Sequence, residues 1–65
     1  MAYRIKELRE KKELTQEQLS KKSGVSRATI IQLENNDEHE AMVGTLKSLA
    51  VALEVPVSEL FTQNV

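Results

Sequence analysis

The sequence predicts an all-α domain of five short helices. Apolar residues recur at spacings of three and four in several segments, which is the helical period. Gly, Asn and Pro separate these segments into short pieces, and no segment alternates apolar and polar residues as a strand does. The 65 residues are enough for one domain, spanning 1–65. Because only Tyr3 and Phe61 are aromatic, we expect a core of Leu, Ile, Val and Ala.

The first helix is predicted from its stripe of apolar residues, and the second from a capping sequence at its N-terminus. Ile5 and Leu8 stand three apart among charged residues, which indicates an amphipathic helix over 2–12 with a narrow buried face. Thr15 is followed three residues later by Gln18, the pattern of a capping box, so we expect a second helix to begin at Thr15.

Gly24 separates the second helix from the third. It follows two lysines, and cations near a helix C-terminus and a glycine just beyond it are typical of a helix end. Ser26 can cap a third helix that ends at Asn35. At about 100° per residue, Ile30 and Leu33 share one side of this helix. The opposite side carries Arg27, Ala28, Ile31 and Gln32.

The second half predicts a loop and two further helices. Residues 37–42 are acidic and lack apolar periodicity, so they indicate a loop. The clearest amphipathic helix covers 45–53. Pro56 suits the first turn of a last helix that runs through Phe61. The apolar stripe of the fourth helix consists of Leu46, Leu49, Ala50 and Leu53.

Charge is divided unevenly along the chain. The net charge is −1, yet residues 1–32 hold eight bases and four acids, a net of +4. Residues 33–65 hold one base, Lys47, and six acids, a net of −5. This asymmetry predicts a basic face and an acidic back, the alternative being an ordinary scatter of surface charge.

Several functions are disfavoured by composition. The chain has no cysteine and a single histidine, His39, which is expected to be an ordinary loop residue. There is no nucleophile–base pair around it and no glycine-rich phosphate loop, so we expect neither an enzyme nor a cofactor or metal site. No apolar run approaches the roughly 20 residues that span a bilayer, and the N-terminus lacks a signal region. A cytoplasmic protein without membrane contact is therefore expected.

Two helices joined by a four-residue turn containing glycine form a helix-turn-helix. The run LTQEQLSKKSGVSRATIIQLENN resembles the lambda-repressor-like, or Cro and XRE-type, family of bacterial and phage regulators. The resemblance extends to RIKELREKK in the first helix and LKSLAVALEVPVSELF at the end. The positions that match in register are Gln16, Leu19, Gly24, Val25, Ile30, Leu33 and Glu34.

The resemblance implies a sequence-specific regulator of transcription, repressor-like, that binds double-stranded DNA. A homodimer would bind a palindromic operator, with helix 3 of each copy in the major groove and half-sites about 34 Å apart. No small-molecule effector is expected. The alternative is a protein-interaction module, such as an antitoxin or an anti-repressor-like partner, that retains the fold.

The resemblance also assigns roles to residues. Gln16 matches a position that contacts a backbone phosphate, and an amide at a helix N-terminus suits that contact. Arg27, Ala28 and Gln32 match base-reading positions, and these side chains suit guanine, a thymine methyl and adenine respectively. Three further DNA-contact candidates are Ser26, Thr29 and Ile31, of which Ile31 is either a thymine-methyl contact or part of an interaction patch.

Other positions are assigned to structure and assembly. Arg9 and Glu34 match a pair that bridges the first and third helices. The candidates for a dimer surface are Val57, Leu60 and Phe61, and Phe61 is equally suited to the domain core.

Four departures from the family pattern stand out, and one of them is Ile31, which stands where a polar residue is more usual. Ser20 replaces a usual alanine, and its hydroxyl can bond back to a helix carbonyl. Ala41 and Met42 replace a Pro-Ser helix start, leaving the cap of the fourth helix undefined. The acidic loop residues, unfavourable beside phosphate, are Asp37, Glu38 and Glu40.

Overall fold

The computed structural model describes residues 3–35 and 41–61. This part of the chain holds four α-helices: α1 (Ile5–Lys11), α2 (Gln16–Ser23), α3 (Arg27–Asn35) and α4 (Val43–Leu53). The all-α class is therefore confirmed, but the expected fifth helix is a single 3₁₀ turn, Val57–Leu60. The turn ends there because Phe61 is extended (φ −91°, ψ 140°) and pairs with the start of the chain.

The two ends of the domain meet in one backbone bridge. Tyr3 and Phe61 form an isolated antiparallel bridge, and the amide of Arg4 donates to the carbonyl of Leu60 at 2.6 Å. The rings of Tyr3 and Phe61 lie 5.7 Å apart, centroid to centroid. Because Tyr3 is held in this bridge, α1 begins at Ile5 rather than at residue 2 as the sequence predicted.

Both ends of α2 form as predicted. Thr15 Oγ1 accepts from the Gln18 amide at 3.0 Å, and Gln18 Oε1 accepts from the Thr15 amide at 2.8 Å. These two bonds complete the capping box. Gly24 lies in the left-handed region at φ 78°, and its amide donates to the carbonyl of Ser20 at 2.8 Å.

The turn between α2 and α3 is closed by two serines. Ser20 Oγ donates to the carbonyl of Val25 at 2.6 Å, so it bonds forward into the turn and not back along its own helix as expected. Ser26 Oγ accepts from the Thr29 amide at 3.2 Å, the predicted cap of α3. The helix that would carry the reading face therefore starts from a braced turn.

Helix α4 lacks such local signals. It begins at Val43, after Met42, which occupies the N-cap position but has no side-chain hydrogen bond to offer. At the other end Glu54 adopts the left-handed conformation (φ 60°), which a glycine would adopt with less strain. The amide of Val55 then closes the helix by donating to the carbonyl of Ala50 at 3.0 Å.

One apolar core joins the four helices and the 3₁₀ turn. Helix α4 crosses the middle and packs against α2, the 3₁₀ turn and α1. None of the described helices is long and apolar enough to cross a membrane. The buried residues are Ile5, Leu8, Leu19, Ile30, Leu33, Leu46, Leu49, Ala50, Ala52, Leu53 and Leu60.

Among the described residues, the charge asymmetry of the sequence is partly neutralised by ion pairs that connect the two halves of the chain. Four bases of the first half pair with carboxylates of the second half, because the fold packs α1 and α2 against the later elements. Glu54, for example, lies 3.1 Å from Lys12 Nζ and 3.7 Å from Lys22 Nζ. The other two pairs are Arg4 with Glu59 and Arg9 with Glu34.

Candidate nucleic-acid interface

Helix α3 has one buried and one exposed side, as its sequence pattern predicted. Ile30 and Leu33 are in the core. The exposed side chains at the base-reading positions are those of Arg27, Ala28 and Gln32. Ile31, which was expected on the exposed face, is half-buried.

An ion pair connects α1 to α3. Arg9 Nε donates to Glu34 Oε2 at 2.7 Å, and Arg9 Nη2 donates to Glu34 Oε1 at 3.2 Å. Arg9 Nη1 also donates to the carbonyl of Leu14 at 2.7 Å. The side chains are only 11% and 1% exposed, so the pair is largely shielded from solvent and its geometry is two-pronged. The hydrogen bond to Glu34 raises the pKa of Arg9.

Gln16 extends this pair towards the exterior. Its Nε2 donates to Glu34 Oε1 at 3.0 Å, so one carboxylate contacts both Arg9 and Gln16. Gln16 is the first residue of α2, where free backbone N–H groups and the helix dipole favour an anion. Sequence reasoning missed the contact between Gln16 and Glu34, because the two residues are 18 positions apart and only the crossing of α2 and α3 brings them together.

Ser26 and Thr29 are partners of each other. Ser26 Oγ donates to Thr29 Oγ1 at 2.8 Å in addition to capping the helix. This pair lies in a shallow groove of about 450 Å³ between the turn and the first turns of α4. Of the residues that the structure describes, those lining the groove carry no charge; they are Gly24, Val25, Ser26, Thr29, Met42, Gly44, Thr45 and Ser48.

The dimer candidates divide between core and surface. Leu60 was expected at a dimer surface but is 0% exposed, because the 3₁₀ turn directs it into the core. Phe61 is half-buried against Tyr3, and Val57 is half-buried. An exposed apolar residue that sequence reasoning did not select is Val51 of α4, 77% exposed. Its position off the stripe of buried leucines was the signal available in the sequence.

Most of the acidic loop that follows α3 lies outside the described residues. The residues of the loop that are not described include Asp37, Glu38, His39 and Glu40. The expected acidic surface beside the recognition helix therefore remains a prediction.

Comparison with known proteins identifies the family. Residues 5–60 match a family model described as "Helix-turn-helix". The "uncharacterized HTH-type transcriptional regulator RghRB" of Bacillus subtilis (strain 168) is 41% identical over 56 residues, 86% of this chain. The match covers 40% of that relative, so this chain spans less than half of its length. The predicted resemblance is confirmed: the chain belongs to the XRE-type helix-turn-helix family.

Proposed function

We propose that this domain is the sequence-specific DNA-binding module of a transcriptional regulator, with α3 in the major groove. The observation that carries the proposal is the division of α3 into two sides. Ile30 and Leu33 are buried, which leaves Arg27 and Gln32 exposed on the remaining surface of the same helix. Arg and Gln are the side chains that make paired hydrogen bonds to guanine and adenine in that groove.

The surroundings of α3 suit a phosphate backbone. Gln16 stands at the N-terminus of α2, and such positions favour phosphate. The described residues that line the groove on the other side of the turn are uncharged, and several of them carry hydroxyls, which offer hydrogen bonds to phosphate. In this proposal Gln16 contacts the backbone, and Ser26 and Thr29 contact phosphates or base edges.

The test is selection of preferred sites from a random duplex pool, followed by affinity measurements over a salt series. We expect the logarithm of the affinity to fall linearly with the logarithm of salt concentration. R27A is expected to weaken the preferred site by about 1–3 kcal/mol and to relax the choice of base at one position. K47A, which removes an exposed base from α4, is the control. The absence of any preferred sequence would contradict the proposal.

The proposal includes a repressor-like homodimer on a palindromic operator. Exposed apolar surface on α4, at Val51, and the half-buried Val57 and Phe61 support a dimer surface at this end of the chain. Sedimentation of the free protein with and without V51D tests it, since a buried carboxylate at an apolar interface is strongly unfavourable. If V51D is folded and sediments as a dimer like the wild-type protein, Val51 is not part of the dimer interface.

One observation favours the protein-interaction alternative. The large apolar side chains most exposed among the described residues are Met42, Val43 and Val51, and all three lie on α4 or at its start. A stable complex with another protein, together with no DNA binding at low salt, would favour that function over the first.

A further inference from the structure

We infer that Glu34 is a positioning residue for DNA binding: it holds the amide of Gln16 so that the second N–H of that amide faces a backbone phosphate. The inference rests on the proposed function and concerns a residue whose side chain is 1% exposed, so that its carboxylate cannot contact DNA directly. Its basis is the hydrogen bond from Gln16 Nε2 to Glu34 Oε1.

The chemistry of the two groups determines which way the amide points. An ionised carboxylate only accepts hydrogen bonds, whereas a glutamine amide has one end that donates and one that accepts. Only the nitrogen of Gln16 can therefore face Glu34 favourably. The Nε2 group carries two N–H bonds, and Glu34 accepts one of them. The other remains available to an anion at the N-terminus of α2.

The carboxylate is itself held in place. Arg9 donates to both of its oxygens from α1, and the same guanidinium donates to the carbonyl of Leu14 just before α2. Gln16 is thus attached to a group braced by α1, α3 and the segment that leads into α2. A glutamine side chain loses rotamer freedom when it is immobilised, and here part of that loss occurs on folding rather than on binding DNA.

The direction in which E34Q changes the DNA affinity distinguishes a positioning role of Glu34 from an effect of its charge alone. E34Q removes a negative charge near the proposed phosphate contact, so charge alone predicts tighter binding. A glutamine at this position has one acceptor oxygen to share between Arg9 and Gln16, so positioning predicts weaker binding. E10Q is the matched control. It also removes one negative charge close to Arg9, but Glu10 makes no hydrogen bond to Gln16.

A double-mutant cycle on DNA affinity tests the inference. We expect E34Q to weaken binding about three- to tenfold in the wild-type background and to have little effect in Q16A, where there is no amide to position. E10Q should not weaken binding. Equal weakening by E34Q in both backgrounds would show a purely structural role and overturn the inference.

Failure of the proposed function gives a different result. If wild-type protein selects a DNA sequence but Q16A binds it as tightly as wild type, Gln16 has no phosphate role: the inference falls together with the proposed Gln16 contact, while the proposed DNA binding by α3 stands. If wild-type protein binds no DNA, the proposed function falls first.

A spectroscopic measurement covers the case in which E34Q is too unstable. E34D keeps the charge for Arg9 but shortens the side chain, which withdraws it from Gln16. The side-chain amide signals of Gln16, followed by NMR without DNA, should shift towards free-glutamine values in E34D. Unchanged Gln16 signals in a folded E34D protein would overturn the inference.

Discussion

Helices α2 and α4 are packed against each other but are stabilised differently. Helix α2 places one residue, Leu19, in the core, and has a capping box at its start and a glycine at its end. Helix α4 places five residues in the core, with no side-chain cap at Met42 and a strained Glu54 at its end. Local hydrogen bonds define where α2 begins and ends, while burial of apolar surface holds α4 in place.

The difference shows that capping and burial can substitute for each other within one small domain. A helix of eight residues is too short to be stable alone, so α2 depends on its caps and on Leu19. Four substitutions test this division, and they are ordered by expected effect.

The largest effect is expected in the centre of α4. Leu49 is 0% exposed, so L49A should leave a cavity and lower the free energy of unfolding by about 2–5 kcal/mol. Urea denaturation measures it. The control is K47A on the exposed side of the same helix, expected within about 0.5 kcal/mol of wild type. Equal effects of the two variants would contradict the burial argument.

A smaller effect is expected at the start of α2. T15A removes the oxygen that accepts from the Gln18 amide and should destabilise the domain by about 1 kcal/mol. T15S retains that oxygen and should remain close to wild type. Thermal unfolding of the three proteins under one condition is sufficient, and a T15S loss as large as that of T15A would mean that the threonine methyl, not the cap, matters.

A side-chain cap introduced at the start of α4 should stabilise the domain. Met42 is largely exposed and has no acceptor for the first N–H groups, so M42S should supply one at little loss of burial. We expect stabilisation of about 0.5–1 kcal/mol relative to M42A in urea denaturation. No difference between M42S and M42A would show that the start of α4 does not accept a serine cap.

The smallest effect is expected at Glu54 and depends on pH. The hydrogen bond from Lys12, then the charges of Lys12 and Lys22, lower the pKa of Glu54 below its ordinary value of 4.5. Its stabilising contribution is therefore present above pH 4.5 and disappears as the pH falls through the lowered pKa. Salt weakens it, because the carboxylate is exposed.

The measurement is the difference in melting temperature between wild type and E54Q. It should be larger at pH 7 than at pH 3, and E13Q is the control because Glu13 forms no ion pair among the described residues. A difference that grows on acidification would contradict this assignment.

Parts of the candidate interface were predictable and parts were not. The exposed side of α3 followed from the helical period, because Ile30 and Leu33 had to face a core. The inward direction of Leu60 did not follow, since period alone could not distinguish a final α-helix from a 3₁₀ turn. The contact between Gln16 and Glu34 depends on how two helices cross, and no local pattern encodes that.

The sequence by itself determined where α2 begins and ends and where α3 begins. The bonds made by Thr15, Gly24 and Ser26 reach residues at most four positions away, so these signals require no tertiary contact. The tertiary structure decided which charges meet and which residue braces Gln16. Those contacts join residues that are 18 to 55 positions apart in the sequence. Their geometry is set by the packing of the helices around a shared core.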